Sequence, residues 1–334
     1  MSKSRMKPIS EQVIVLTGAT SGIGLATAKM AAERGAKVVL SSRNEDELRA
    51  VTEDIRQKGG EVIFVKVDVT KMEDHMKLRD EAIKAFGRID TWINNAGTSL
   101  YGYLMDTPIE DERQLFETNF WGTRLGCQVA VECMKQSGGT IINLGSEVSV
   151  AAQPLLGIYS ATKHAVKAIT EALRSELRDR DIPIEVSLVR PTAIDTPFAE
   201  HATNDLKEGE PSLPSPLYSP DVAAEAILKC AENPQRDVFV GGPAKLSAII
   251  DTFFPQVKDM VAETRMKEMK KGTSTSHKEE NEGLYHPSAE ESKTGANEGT
   301  KFNNSLYTDL TTLSFIRSIT HSARKSFESF RRAG

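Results

Sequence analysis

The chain has 334 residues, 39% of them hydrophobic, and a formal net charge of −5, enough for one large α/β domain with a substantial core and something besides. A slightly acidic chain with no basic face over most of its length argues against a nucleic-acid binder, and no run of about 18 apolar residues is present to span a bilayer. Three cysteines (Cys127, Cys133 and Cys230) form no CxxC pair, which suits inert buried thiols in a reducing compartment.

Met1 to Ser10 reads as a tail: it carries basic residues, but no apolar run of signal-peptide length follows. A cytoplasmic location is expected. From there to about residue 245, short β-branched runs alternate with stretches of helical period. Val13–Thr17, Lys37–Ser41, Val62–Val67, Ile89–Ile93, Thr140–Leu144, Ile184–Val189 and Val238–Val240 read as strands. Gly24–Arg34, Glu45–Lys58, Met72–Phe86, Glu112–Lys135 and Ser160–Arg178 have helical length between them, and Thr70 with Glu73 fits a capping box. That rhythm requires crossover connections. It predicts a doubly wound α/β domain over residues 11–245, with a parallel sheet of about seven strands and helices on both faces.

Residues 246–270 read as a helical segment. Residues 271–334 read as a flexible polar linker that ends in a basic amphipathic helix. There Phe315, Ile316, Ile319, Ala323, Phe327 and Phe330 recur at helical spacing beside Arg317, Arg324, Lys325, Arg331 and Arg332. Such a helix can lie weakly on an anionic membrane surface, dock on a neighbouring subunit or partner, or pack on its own domain.

The first strand runs directly into Thr17-Gly18-Ala19-Thr20-Ser21-Gly22-Ile23-Gly24 and then a helix. A strand, a glycine turn and a helix opening aim free N–H groups and the positive helix end at an anion. Gly18 permits the tight turn, Gly22 a close approach to a pyrophosphate, and Gly24 close helix–strand contact. The Gly-x3-Gly-x-Gly spacing departs from the G-x-G-x-x-G pattern of other dinucleotide folds. Ser21 and Ile23 lie in the same turn. The second strand ends Ser41-Ser42-Arg43, where an NAD binder usually carries an acid for the ribose 2′-hydroxyl. A guanidinium pairs well with a 2′-phosphate, so NADP(H) is favoured over NAD(H), with a merely solvated Arg43 as the bland alternative.

Tyr159 and Lys163 stand four apart on one helix face, which lets an ammonium stabilise a tyrosinate and bring its pKa toward working pH. Ser146 follows the strand Thr140–Leu144 at the carboxyl edge, where its hydroxyl can hold a substrate oxygen. Asn95, Ala96 and Gly97 follow the fourth strand and let the backbone pass close to the adenosine side of a cofactor. His164 points about 100° away from Lys163 and is expected on the surface or packed. No His/Cys cluster has metal-ligand spacing, so no metal is expected.

In order and spacing, Thr17–Gly24, Asp68, Asn94-Asn95-Ala96-Gly97, Asn119, Ser146 and Tyr159-x-x-x-Lys163 resemble the short-chain dehydrogenase/reductase family across about residues 9–242. The resemblance implies an oxidoreductase acting on a carbonyl/alcohol pair, with Asn119, Ser146, Tyr159 and Lys163 as the catalytic set. It implies that Asn119 helps hold a water linking the lysine to solvent, that Asn95 braces the central strand, and that Thr196 contacts the cofactor. Asp68 matches a residue that contacts adenine, or it simply ends its strand. One departure is Pro191-Thr192, where the family usually has Pro-Gly, which puts the local backbone in question.

Loops 98–108, 147–158 and 197–220 should shape the substrate pocket. Leu100, Tyr101, Tyr103, Val148, Val150, Leu155, Leu156, Phe198 and Leu217 suggest a hydrophobic ketone or alcohol, and the last loop has the length of a mobile lid. A homo-oligomer, dimer or tetramer, is expected. Two other functions use the same residues: an NADP(H)-binding sensor or scaffold, and a redox-neutral reaction such as epimerisation or dehydration.

Overall fold

The computed structural model describes residues 6–242, 255–271, 283–287, 292–295, 297, 300–305 and 307–309. Seven strands form one sheet: β1 (Val13–Thr17), β2 (Lys37–Ser42), β3 (Val62–Lys66), β4 (Thr91–Asn94), β5 (Gly139–Leu144), β6 (Ile184–Pro191) and β7 (Asp237–Val240). Their spatial order is β3-β2-β1-β4-β5-β6-β7, and every pairing is parallel. Parallel pairing forces a crossover after each strand, and helices α1 (Gly22–Glu33), α2 (Glu45–Gln57), α3 (Met72–Phe86), α4 (Ile109–Phe116), α5 (Gly122–Met134), α6 (Gly157–Asp179) and α7 (Pro220–Glu232) supply them. The expected doubly wound fold is the observed one.

The continuous apolar run of β1 serves two cores at once. Ile14 and Leu16 pack on one face with Leu25 and Ala28 of α1 and Ile227 of α7. Val13 and Val15 pack on the other with Trp92, Leu78 of α3, Ala130 of α5 and Leu177 of α6. A strand covered on both sides has no polar face to show, so its sequence does not alternate. Each of these residues is buried, and full burial of a Val, Leu or Ile side chain stabilises by roughly 1.5–3 kcal/mol.

Two local expectations need correction. Glu112–Lys135 is not one helix: α4 and α5 are joined by a π-helical turn, Glu117–Trp121, which carries Asn119. Thr70 does not cap α3. Lys71 holds the N-cap position without a side-chain bond, while the Thr70 hydroxyl donates to Asp68 Oδ1 (2.8 Å) and Asp74 accepts from the Asp68 N–H (2.7 Å).

Beyond the sheet, α8 (Pro255–Glu268) follows. Described pieces of the stretch expected as a flexible linker are packed on the domain. Lys301–Phe302 pairs in parallel with Leu217–Tyr218, Thr308 Oγ1 accepts from the Gly241 N–H at 2.9 Å, and Leu284 is fully buried. Polar composition conceals this, because the domain satisfies backbone groups and takes up the Leu284 side chain. The expected basic amphipathic helix lies outside the described residues. Among the described residues no helix is long and apolar enough to cross a membrane.

Candidate active site

The chain leaves β1 toward β2 and β3, then returns to place β4 on the other side of β1. This reversal opens a crevice at the carboxyl ends of the strands, where doubly wound sheets take their ligands. One continuous cleft there is lined by Gly18, Ser21, Gly22, Ile23, Gly24, Arg43, Asp68, Asn95, Ala96, Gly97, Ser146, Tyr159, Lys163 and Thr196. Of the residues predicted to be catalytic or to hold a cofactor, only Asn119 is not part of this lining.

The turn after β1 is shaped by what it touches. Gly18 holds φ at +66°, and a Cβ there would stand 2.8 Å from the Ala96 Cα. A Cβ on Gly24 would fall 1.8 Å from the Gly18 carbonyl oxygen, and one on Gly22 3.0 Å from the Thr196 methyl. The Asn95 amide donates to the carbonyls of Thr17 (3.0 Å) and Gly18 (2.8 Å), and the Thr17 hydroxyl accepts from the N–H groups of Asn95 and Ala96. The side chain of Asn95 therefore braces the glycine turn. Its backbone lines the cleft.

Arg43 reaches across the cleft to the C-terminal stretch. Its guanidinium donates to the carbonyls of Gly283 (2.6 Å), His286 (2.9 Å) and Leu284 (3.3 Å). The Gly22 N–H donates to the carbonyl of Ser292 at 2.9 Å. An anion placed at the opening of α1 would compete with the Ser292 carbonyl for that donor. Asp68 ends its strand in a tight turn, accepting from the Thr70 N–H and hydroxyl, and its charge is felt by Arg43. Asp68 thus follows its strand in a turn and lines the cleft.

The residues expected to be catalytic come from α6 and the segment that follows β5. Tyr159 is buried and hydrogen-bonded to Ser146, which follows β5; its ring packs edge-on to Phe198 at 5.3 Å. The Lys163 ammonium lies 5.8 Å from the Tyr159 ring centre and donates to the Leu144 carbonyl at 2.9 Å. Burial lowers the Lys163 pKa to about 8. Burial also pushes the Tyr159 phenol up, the Glu147 charge acts in the same direction, and the bond from Ser146 opposes both. The expected downward pull of Lys163 on Tyr159 is thus outweighed by desolvation in the free site. Asn119, on the π turn, accepts from the Thr98 N–H (2.9 Å) and donates to the Thr98 carbonyl (3.0 Å) and the Thr162 hydroxyl (3.1 Å). A Cβ on Gly97 would meet the Asn119 oxygen at 3.1 Å and the Lys163 nitrogen at 3.6 Å. Gly97 therefore sits against both Asn119 and Lys163, with the Asn119 amide tied to the Thr98 backbone and the Thr162 hydroxyl. His164 is exposed and bonds its own helix at the Ser160 carbonyl.

Residues 12–207 match the family described as short chain dehydrogenase. The chain belongs to this family. This short-chain dehydrogenase is 40% identical over 312 residues to the Bacillus subtilis protein named uncharacterized oxidoreductase YxnA, a match covering 93% of this chain and 88% of that one. It is 32% identical over 261 residues to 11-beta-hydroxysteroid dehydrogenase A of Arachis hypogaea, covering 75% of this chain and 74% of that one. Among solved structures, it resembles a short chain dehydrogenase/reductase from Burkholderia phymatum in complex with NAD (TM-score 0.65, 25% identity, 82% of this chain and 99% of that one). An alcohol dehydrogenase from Thermococcus sibiricus, complexed with 5-hydroxy-NADP, is also similar (TM-score 0.60, 26% identity, 68% of this chain and 95% of that one).

In this short-chain dehydrogenase the residue at the usual glycine position is accommodated from across the sheet. Thr192 stays out of the left-handed region. Room for its methyl comes from Gly241, where a Cβ would stand 2.4 Å from the Thr192 Cγ2, and its hydroxyl donates to Glu147 Oε2 at 3.0 Å. Glu147, Gln153, Arg265 and Met269 line the cleft and were not singled out from sequence. Of the expected pocket residues, Tyr101, Val148, Leu156 and Phe198 line it. Leu100 and Leu217 are buried in small strand pairs, and Tyr103 is exposed beneath the Lys270 ammonium. The 197–220 loop expected as a lid is tied down by Thr203–Asn204 against Leu100–Tyr101.

Proposed function

We propose that this short-chain dehydrogenase interconverts a carbonyl compound and its secondary alcohol with NADP(H), Tyr159 serving as general acid and base. The observation that carries the reading is the buried cluster in which Tyr159 bonds to Ser146 while the Lys163 ammonium is held against it by the Leu144 carbonyl. The cradle fits a dinucleotide: Gly18, Gly22 and Gly24, packed without side chains against Ala96, Thr196 and the Gly18 carbonyl, draw the turn in tight and line the cleft beside a helix opening. When bound, the nicotinamide supplies a hydride to the carbonyl carbon, or takes one back from the alcohol.

In reduction, the Tyr159 hydroxyl gives its proton to the carbonyl oxygen, and the Ser146 hydroxyl holds that oxygen by a hydrogen bond. Lys163 steadies the tyrosinate left behind, and a positively charged nicotinamide adds to the same field. In oxidation the proton path reverses. The similar proteins bind both kinds of cofactor, NAD in one complex and 5-hydroxy-NADP in the other. Preference for NADP(H) rests on Arg43 at the end of β2, with NAD(H) as the second choice. A small-molecule substrate, a cytoplasmic location and a dimer or tetramer belong to the same proposal.

The test is nicotinamide absorbance on purified protein, with NADPH or NADH, against a panel of ketones and aldehydes. Consumption of NADPH that depends on the ketone is the expected result. Arg43→Glu is expected to weaken NADPH by about 100-fold, as loss of a charge-assisted phosphate contact implies, while NADH shifts much less. Since Arg43 also holds the carbonyls of residues 283–286, the ratio between the two cofactors is the decisive readout. Equal weakening of both would end the NADP(H) assignment.

A further inference from the structure

Resting on the carbonyl/alcohol reading above, we propose that the cleft beside Tyr159 recognises a hydroxylated substrate: Glu147, with Gln153 and Arg265, receives a second hydroxyl on an otherwise apolar carbonyl compound. The sequence suggests a purely hydrophobic ligand, and part of the wall agrees, with Tyr101, Leu156, Phe198 and Met269 facing the same cleft. The rest of the wall does not. Glu147 follows Ser146 directly and is 8% exposed, yet its carboxylate has one hydrogen-bond donor among the described residues, the Thr192 hydroxyl. Arg265, from α8, lies near enough for its charge to act on Glu147 but makes no ion pair with it among the described contacts. Gln153 is 9% exposed and its buried Oε1 has no hydrogen-bond partner among the described residues.

Buried polar atoms in folded proteins are almost always satisfied, and a carboxylate withdrawn from water needs more than one donor. Burial pushes the Glu147 pKa up, opposed by Arg265 and Thr192, as expected of an under-served carboxyl. A ligand hydroxyl supplies what is missing. It donates to Glu147 or to Gln153 Oε1, and its oxygen accepts from Arg265. An aliphatic chain in the same place leaves all three groups unmet. Sites built to bond a hydroxyl reject the analogue that lacks it far more strongly than apolar pockets discriminate by size. Thr192 is the positioning residue, since its bond fixes the carboxylate.

Cyclohexanone and its 2-, 3- and 4-hydroxy derivatives, titrated calorimetrically into the NADP⁺-loaded protein, test the inference without requiring turnover. At least one hydroxy derivative is expected to bind about tenfold or more tighter than the parent, the scale of a hydrogen bond to a charged group. In Glu147→Leu that ratio should fall to about one, and in Thr192→Val to an intermediate value. Equal binding of all four compounds by the wild-type protein overturns the inference, whatever the variants do. A preference that survives intact in Glu147→Leu overturns it too, leaving Glu147 as an anchor for α8. A preference in binding with no NADPH consumption supports the hydroxyl site while removing the reductase reading.

Discussion

Tyr159→Phe is expected to keep nucleotide affinity within about threefold of wild type and to cut ketone reduction about 1000-fold. General acid–base catalysis contributes roughly 10²–10⁴-fold, and in the proposed mechanism this variant deletes the hydroxyl that hands its proton to the substrate oxygen. The ring stays, so its packing against Phe198 and the rest of the buried cluster persists. Stopped-flow absorbance with nucleotide fluorescence titration separates the two quantities. Turnover within tenfold of wild type would end the role given to Tyr159. The same cluster sets a pH dependence. Burial lowers Lys163 to about 8, so its positive charge is present below that pH and lost as pH rises through it. Reduction should therefore decline above about pH 8 in the wild type. Bound cofactor can displace the midpoint, but the sign is fixed by the loss of a cation beside the tyrosinate.

How much of this was legible in the sequence differs by the range of the interaction. The strands were readable because residues such as Val13, Ile14, Val15 and Leu16 are apolar without alternation, as a strand covered on both faces must be. Tyr159 and Lys163 were readable because one turn of helix brings them together, and the glycine turn because it abuts a strand. The π turn at Glu117–Trp121 was not: one extra residue in a helix leaves the hydrophobic pattern almost unchanged. The pairing of Asn94 with Asn143 has no local sequence signal, since the two lie on different strands. In the fold they form a buried ladder, in which Trp92 donates to Asn94 (2.9 Å), Asn94 to Asn143 (2.8 Å) and Asn143 to Thr170 (2.9 Å). Asn95 lines the cleft, and its side chain serves the glycine turn. Glu147 reads only as part of a loop until Thr192, just past the end of the neighbouring strand, is seen to hold it. The contacts of Arg43 with Gly283, Leu284 and His286 span some 240 positions and leave no local signature.

Gly24→Ala is expected to weaken nucleotide binding by 100-fold or more, against the ordinary expectation for such a change. Inside a helix, Ala is favoured over Gly by up to about 1 kcal/mol, and Gly24 lies in the first turn of α1 with no positive φ to preserve. Propensity alone would make the variant more stable. The Cβ, however, would fall 1.8 Å from the Gly18 carbonyl oxygen and 2.7 Å from the Asn95 amide nitrogen. Neither is the free end of a flexible chain: the first is backbone, and the second is committed to the Thr17 and Gly18 carbonyls. The turn must open, and with it the helix start that aims N–H groups at an anion. A 100-fold loss corresponds to about 2.7 kcal/mol, several times the propensity gain. Gly59→Ala is the matched control. Its φ of +84° makes alanine costly there, but no atom lies within 4 Å of the added carbon, and it is remote from the cleft lining. That variant should lose about 1 kcal/mol of stability and bind nucleotide as the wild type does. If Gly24→Ala instead binds nucleotide normally with a raised melting temperature, the close contact between α1 and the turn does not govern the site, and the cradle must be formed elsewhere.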